Sequence, residues 1–332
     1  MEKPYLLFLG DAHDQLAAKT AAGIVHWRRD WCVGQLRLDG CKADVGLPDM
    51  SVAEAKAQGV RTMVIGVVNS GGVLPDSWIE TIIEALEAGF DIASGLHKKL
   101  GSIPQVAERA KALGRSLYDV RHPTQDFATG KGKRRSGKRL LTVGTDCSVG
   151  KKYTALSLEK GLTDRGIKAD FRATGQTGIF IAGRGIPLDA VIADFISGAV
   201  EWLTPDNEPD HWDLIEGQGS LFHPSFAGVS LGLLHGAAPD ALVLCHEPTR
   251  THMRGLPHYP IPDLQACMAH NLACGRLTSP DVKFVGVAVD THNLPDEAAA
   301  RACLKEIEAQ TGLPATDPVR FGVDPILDNL LG

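Results

Sequence analysis

The sequence predicts an α/β protein of two parallel-sheet domains, and three observations carry that expectation. At 332 residues the chain exceeds one typical domain of about 150 and suits two. From Tyr5 to Val120, short apolar runs alternate with helical periodicity, the rhythm of strands joined by crossover helices. After a polar stretch at 123–138 the same rhythm begins again and runs to the end. The expected division is therefore 1–122, a linker at 123–138, and 139–332.

In the first domain, Tyr5 to Leu9 reads as a strand, Gln15 to Trp27 as a helix, Arg61 to Val68 as a strand and Trp78 to Ala88 as a helix. The series continues with Val106 to Leu113 and Ser116 to Val120. Residues 123–138 hold three glycines and a cluster of Lys and Arg, the composition of a solvated connector. The second domain then offers strands at Arg139 to Val143, Ala169 to Ala173, Asp213 to Ile215, Ala241 to Cys245 and Lys283 to Val289. Between them, Leu188, Val191, Ile192, Phe195, Ile196, Ala199 and Leu203 recur at spacings of three and four, which predicts one helix over 188–203.

Hydrophobic residues make up 44% and charged residues 22%, the balance of a compact globular chain. The net charge of -6 argues against a nucleic-acid partner, whose phosphates must be met by clustered cations. The first residues lack a signal-peptide pattern and no apolar run approaches about 18 residues, so no membrane association and a cytoplasmic location are expected. Seven scattered cysteines without a C-x-x-C pair point to reduced thiols, and no metal centre is expected.

The chemistry concentrates after Arg139 to Val143. Gly144-Thr-Asp-Cys-Ser-Val-Gly-Lys-Lys152 lies between that strand and a helix predicted from Tyr153 to Arg165, the strand–loop–helix setting of a phosphate-binding loop. Its glycines let backbone N–H groups converge on an anion at a helix N-terminus, and Lys151 adds a point charge. Two details depart from G-x-x-x-x-G-K-[ST]: five residues separate the glycines, and Lys152 stands where a hydroxyl would bind magnesium. Thr154 falls one position too late for that role. A second ammonium suits phosphates that are held rather than cleaved.

Glu216 closes the apolar strand that begins at Trp212 and opens the turn Gly217-Gln-Gly-Ser220, placing a carboxylate where ligands of open α/β sheets gather. Its plainer reading is an acid satisfied by nearby backbone N–H groups. Arg172, Gln176 and Thr177 follow the second strand of this domain as a candidate wall of the same cleft. Asp194 shares a helical face with Ala190, Ser197 and Gly198, small neighbours that allow a ligand or another backbone to approach. In the first domain, Val67 to Gly72 and Ser94 to Leu100 are loops after strands; neither is a G-x-G-x-x-G. His246, His252 and His258 lie on a Pro-rich stretch without metal-ligand spacing.

The longer loop form resembles dethiobiotin synthetase. Taken with Ala173-Thr-Gly-Gln-Thr-Gly178, Glu216-Gly-Gln-Gly-Ser220 and His246-Glu-Pro-Thr-Arg250, it resembles more closely the D-glutamate N-acetyltransferase family. That resemblance implies a Rossmann-like N-terminal domain, a P-loop C-terminal domain, and acetyl transfer from acetyl-CoA to the amino group of D-glutamate. It implies coenzyme contacts from Gly144, Thr145, Asp146, Cys147, Ser148, Val149, Gly150, Lys151, Lys152 and Tyr153. Base or amine-orienting roles fall to Glu216 and Asp194, and substrate binding to Arg172, Gln176, Thr177, Gln218 and Ser220. By analogy with related synthetases it also implies a homo-oligomer. The rival readings are an ATP- and magnesium-dependent ligase and a nucleotide- or coenzyme-binding protein without catalysis.

Overall fold

The structure, a computed structural model, describes residues 1–67 and 74–332. It divides into two compact units, one of residues 1–124 and 176–190, the other of 125–175 and 191–332.

In the first unit the order is β1 (Tyr5–Gly10), α1 (Lys19–Arg28), β2 (Cys32–Arg37), α2 (Val52–Ala57), β3 (Thr62–Ile65), α3 (Asp76–Ala88), β4 (Asp91–Ser94), α4 (Pro104–Leu113) and β5 (Leu117–Asp119). The strands form a parallel sheet ordered β2-β1-β3-β4-β5. Every residue of β1 is buried, as a central parallel strand covered on both faces requires. Local signals set the helix ends. Ser51 and Glu54 make a reciprocal capping box at α2, while Gly89 and Gly114 take the left-handed conformation that stops α3 and α4. The loop at Val67 to Gly72 falls largely outside the described residues.

The second unit continues with β6 (Lys138–Gly144), α5 (Lys151–Asp164) and β7 (Ala169–Arg172). The next helix, α6 (Gln176–Ala182), belongs to the first unit. There follow α7 (Ile196–Leu203), β8 (Trp212–Ile215), α8 (Ala227–Ala237), β9 (Ala241–His246), β10 (His252–Met253), β11 (Leu256–Pro260), α9 (Leu264–Gly275), β12 (Lys283–Val289), α10 (Glu297–Thr311), β13 (Ala315–Thr316) and α11 (Asp324–Leu331). The main sheet is parallel and ordered β13-β12-β9-β6-β8-β7. β6 comes first in the chain yet lies in the middle, with β8 on one side and β9 on the other. The carboxyl end of β6 is thus a topological switch point, where open sheets leave a crevice for ligands. Leu140, Leu158, Leu162, Leu214, Val243 and Val285 meet in the core beneath it. Each such buried aliphatic side chain contributes about 1.5–3 kcal/mol.

One segment differs from the sequence expectation, and two others take a form that it left open. The single helix over 188–203 is replaced by 3-10 turns at Leu188–Ala190 and Ala193–Phe195, and α-helix begins only at Ile196. Ile192, with φ -58° and ψ 136°, interrupts the helical path, just after the chain passes from one unit to the other. The Pro-rich stretch at His252 and His258 is an antiparallel hairpin of β10 and β11. The basic stretch at 123–138 is tied down: Glu201 accepts the N–H groups of Lys131 and Gly132, and Arg135 donates to the carbonyls of Gly236 and Ala237 at the end of α8.

No helix among the described residues is long and apolar enough to cross a membrane. All seven cysteines are free thiols.

Candidate functional site

The loop between β6 and α5 is organised around Asp146, whose side chain is fully buried. One of its oxygens accepts the N–H of Cys147 at 2.6 Å; the other accepts the Arg250 guanidinium at 2.7 Å and the N–H of Arg254 at 2.8 Å. Arg250 also donates to the carbonyls of Cys147 at 2.7 Å and Ser148 at 3.2 Å, and Arg254 donates to the Ser148 hydroxyl at 2.5 Å. The stretch after β9 thereby fixes the loop from outside. Arg250 stands in the His246–Arg250 motif, but nothing in its spacing from Asp146, 104 residues away, showed that the two meet.

Lys151 is 6% exposed, and its ammonium donates to the carbonyl of Asp146 at 2.6 Å. Burial pushes its pKa down, the condition of a buried cation short of an anion. The Thr154 hydroxyl, the nearest candidate for a metal, turns into the sheet and meets the Cys245 thiol at 3.5 Å. The Thr145 hydroxyl lies 3.1 Å from His246 Nδ1, and burial holds that imidazole below its ordinary pKa.

Glu216 follows β8 and is 5% exposed. Its Oε2 accepts two backbone N–H groups, from Thr174 and Gly175, each at 3.0 Å; Oε1 has no hydrogen-bond partner among the described residues. Burial raises its pKa above the ordinary carboxylate range, opposed chiefly by the charge of Lys152 and then by the two N–H bonds. One oxygen is therefore fixed, as the plainer reading expects, and the other is open. The next residue must be glycine, because a Cβ on Gly217 would come within 1.7 Å of the Thr142 carbonyl oxygen. Gln218 donates to the Thr174 hydroxyl at 2.9 Å, that hydroxyl donates to the Glu216 carbonyl at 2.6 Å, and Ser220 is buried in the same turn. Glu216, Gln218 and Ser220 thus come together beside the loop.

Among the other candidates, the backbone carbonyl of Arg172 accepts the N–H of Glu216 at 3.0 Å. Arg172 turns its guanidinium to Asp213 at 2.7 Å and Asp170 at 3.3 Å, forming a pair buried at both ends with Asp213. Gln176 and Thr177 open α6 in the first unit, where the Thr177 hydroxyl is 3.4 Å from that of Thr20. Asp194 is exposed on its 3-10 turn. Its small neighbour Gly198 accommodates backbone, since a Cβ there would lie 1.8 Å from the Ala128 carbonyl oxygen.

A cavity of about 470 Å³ opens on the other side of the α5 N-terminus. Val149, Tyr153, Val289, Leu294, Pro318 and Val319 form its apolar walls, with Gly150, Asp290, His292, Asp317 and Arg320 among its polar boundary. It draws on three separated stretches of chain, so sequence reasoning missed it. One trio has metal-ligand chemistry: Asp146, Cys147 and a ring nitrogen of His223 lie within 4.8 Å of one another. The Asp146 carboxylate, however, is already neutralised by Arg250, and a cation there would sit beside a guanidinium. The residues do not fit a metal.

Similarity to other proteins follows this geometry. Residues 126–327 match a family model described as a domain of unknown function, DUF1611_C, P-loop domain; residues 36–123 match its companion, the DUF1611_N Rossmann-like domain. The chain is 56% identical over 330 residues to a D-glutamate N-acetyltransferase from Tritonibacter scottomollicae, covering 99% of each. It is 52% identical, with the same coverage, to a D-glutamate N-acetyltransferase from a Pseudoalteromonas species. A crystal structure of a DUF1611 family protein from Anabaena variabilis ATCC 29413 superimposes with a TM-score of 0.85 at 33% identity, covering 99% of both chains. With its loop, its two parallel sheets and matches along nearly its whole length, the chain belongs to the DUF1611 family, a Rossmann-like domain followed by a P-loop domain.

Proposed function

We propose that this protein is an acyltransferase that moves the acetyl group of acetyl-CoA to the amino group of D-glutamate. The observation that carries the reading is the full-length likeness to two proteins of that name, at 56% and 52% identity. The geometry supports it. A loop with two successive lysines, and with the Thr154 hydroxyl turned away, suits phosphates that are held in place. The adjoining apolar cavity has the size and walls to take the base of a coenzyme.

In this reading the coenzyme pyrophosphate sits on the N–H groups at the start of α5, with Lys151 exchanging the Asp146 carbonyl for a phosphate oxygen. An α-ammonium cannot attack a thioester, so a base must take its proton. Glu216 is that base: Oε2 is anchored, Oε1 is open, and burial brings its pKa up toward the working range. The amine nitrogen then forms its bond to the acetyl carbon, the carbon–sulfur bond breaks, and the departing thiolate takes the second proton that the nitrogen sheds as the amide forms, leaving free coenzyme thiol. Lys152, close enough to depress the Glu216 pKa, stands beside the place where the tetrahedral oxyanion and a substrate carboxylate need positive charge. Gln218 and Ser220 border the same turn as substrate-orienting groups. Arg172 is committed to Asp213 and Asp194 stands on a separate exposed turn, so neither has a part in this arrangement.

Release of free thiol from acetyl-CoA in the presence of D-glutamate, and not without it, is the expected result. ADP release from magnesium-ATP in place of thiol release would instead identify a ligase.

A further inference from the structure

The cavity beside α5 carries an asymmetry in its charges. Two carboxylates border it, each accepting hydrogen bonds from its own neighbours. The oxygens of Asp317 accept from the Thr291 hydroxyl and N–H at 2.6 and 3.0 Å, and from the N–H groups of Val319 and Arg320 at 3.0 Å each. Asp290 accepts from His292 Nδ1 at 2.7 Å. Arg320, also in the cavity lining, is exposed, and its guanidinium has no carboxylate partner among the described residues; it lies 5.5 Å from the Phe321 ring. The lining therefore offers a guanidinium that is held by neither of its acids.

This charge is separate from the one on the loop. Lys151 is buried within the loop itself, whereas Arg320 comes from the stretch after β13, with the apolar walls at Val319 and Pro318 next to it. A ligand that satisfies both must carry an apolar ring with one anionic group directed to the loop and a second, distinct anion near the ring. A nucleoside di- or triphosphate has its phosphates in a single chain. Coenzyme A has a pyrophosphate on one ribose carbon and a lone phosphate on another.

We infer that Arg320 binds the ribose 3′-phosphate of the acyl donor and is the residue by which the site selects coenzyme A over nucleotides lacking that group. The inference rests on the coenzyme reading above. A guanidinium meets a phosphate with two parallel N–H bonds and itself stays charged throughout the physiological range.

The test is calorimetric titration of the whole protein with coenzyme A and with 3′-dephospho-coenzyme A, which requires no turnover. The native protein is expected to bind coenzyme A about tenfold or more tightly than the dephospho form, as charge-assisted hydrogen bonds provide. Arg320→Ala should bring the coenzyme A affinity down to the dephospho value and leave the dephospho value unchanged. Because Arg320 is exposed, the variant is expected to fold, and its unchanged dephospho affinity reports that. A native preference that survives Arg320→Ala, or no native preference at all, overturns the inference while leaving acetyl transfer intact. A protein that binds neither coenzyme overturns the coenzyme reading and this inference with it.

Discussion

Arg250 donates from a single guanidinium nitrogen to both the carboxylate of Asp146 and the carbonyl of Cys147, at 2.7 Å each, and so ties the anion loop to the stretch that follows β9. The loop is held in shape by this outside cation before any ligand arrives. Preorganised N–H groups need not be ordered at the moment of binding, which is where such a clamp gains affinity.

Arg250→Ala leaves the buried Asp146 carboxylate with only backbone donors. Removing one partner of a buried pair costs about 3 kcal/mol, so the urea midpoint should fall and the KM for the acyl donor should rise. In the double variant with Asp146→Asn, the stability losses should sum to less than their separate values; strict additivity would show that the pair is not coupled.

Glu216→Gln keeps an oxygen for the two N–H groups of Thr174 and Gly175 but removes the base. Turnover should drop by about 100-fold or more, with the fold intact. The pH dependence has a definite sign. Burial raises the folded pKa of Glu216 above its unfolded value, so the folded state holds the proton more tightly and the group costs the native protein stability at pH above its unfolded pKa. Glu216→Gln should therefore be at least as stable as the native protein at neutral pH. Its advantage should shrink as pH falls through the raised pKa and vanish below the unfolded one, as thermal melts across pH would register.

Lys152→Met removes the charge that most opposes the effect of burial on Glu216. The pKa of Glu216 should rise further, and the acid limb of kcat/KM against pH should move to higher pH. A limb that stays in place would separate Lys152 from the base.

Leu294→Trp adds bulk to the wall of the 470 Å³ cavity. The KM for the acyl donor should increase several-fold while that for D-glutamate holds, measured by varying each at saturating levels of the other. Equal effects on both would place the cavity outside the donor site.

Much of this arrangement was legible in the chain. The loop announces itself because Gly144, Gly150 and Lys151 act within a few residues of one another, and Glu216 because it directly follows the largely apolar strand from Trp212. What escaped notice depends on register or on distance. Arg172 is one residue past Phe171, but whether its side chain serves the cleft or pairs with Asp213 is set by how β7 lies against β8. Strand β2 was missed because Gly34, Gln35 and Arg37 dilute its apolar pattern. The periodic run at 188–203 is real as a pattern, yet periodicity does not record that the chain changes units within it. Arg250 and Arg320 are invisible as partners of the loop and the cavity until the strands that precede them, β9 and β13, are ordered.

The placement of α6 bears on how this protein can be inherited and dissected. Residues 176–190 are counted with the first unit although 125–175 precede them in the second, and the buried Phe180 lies against Gly95, 3.2 Å from where a Cβ there would stand. A single scission after Thr124 would release an amino-terminal fragment stripped of a core helix. The genetic cassette for that fragment would have to be interrupted and rejoined. Residues 1–124 expressed alone would therefore lack the helix that carries the buried Phe180.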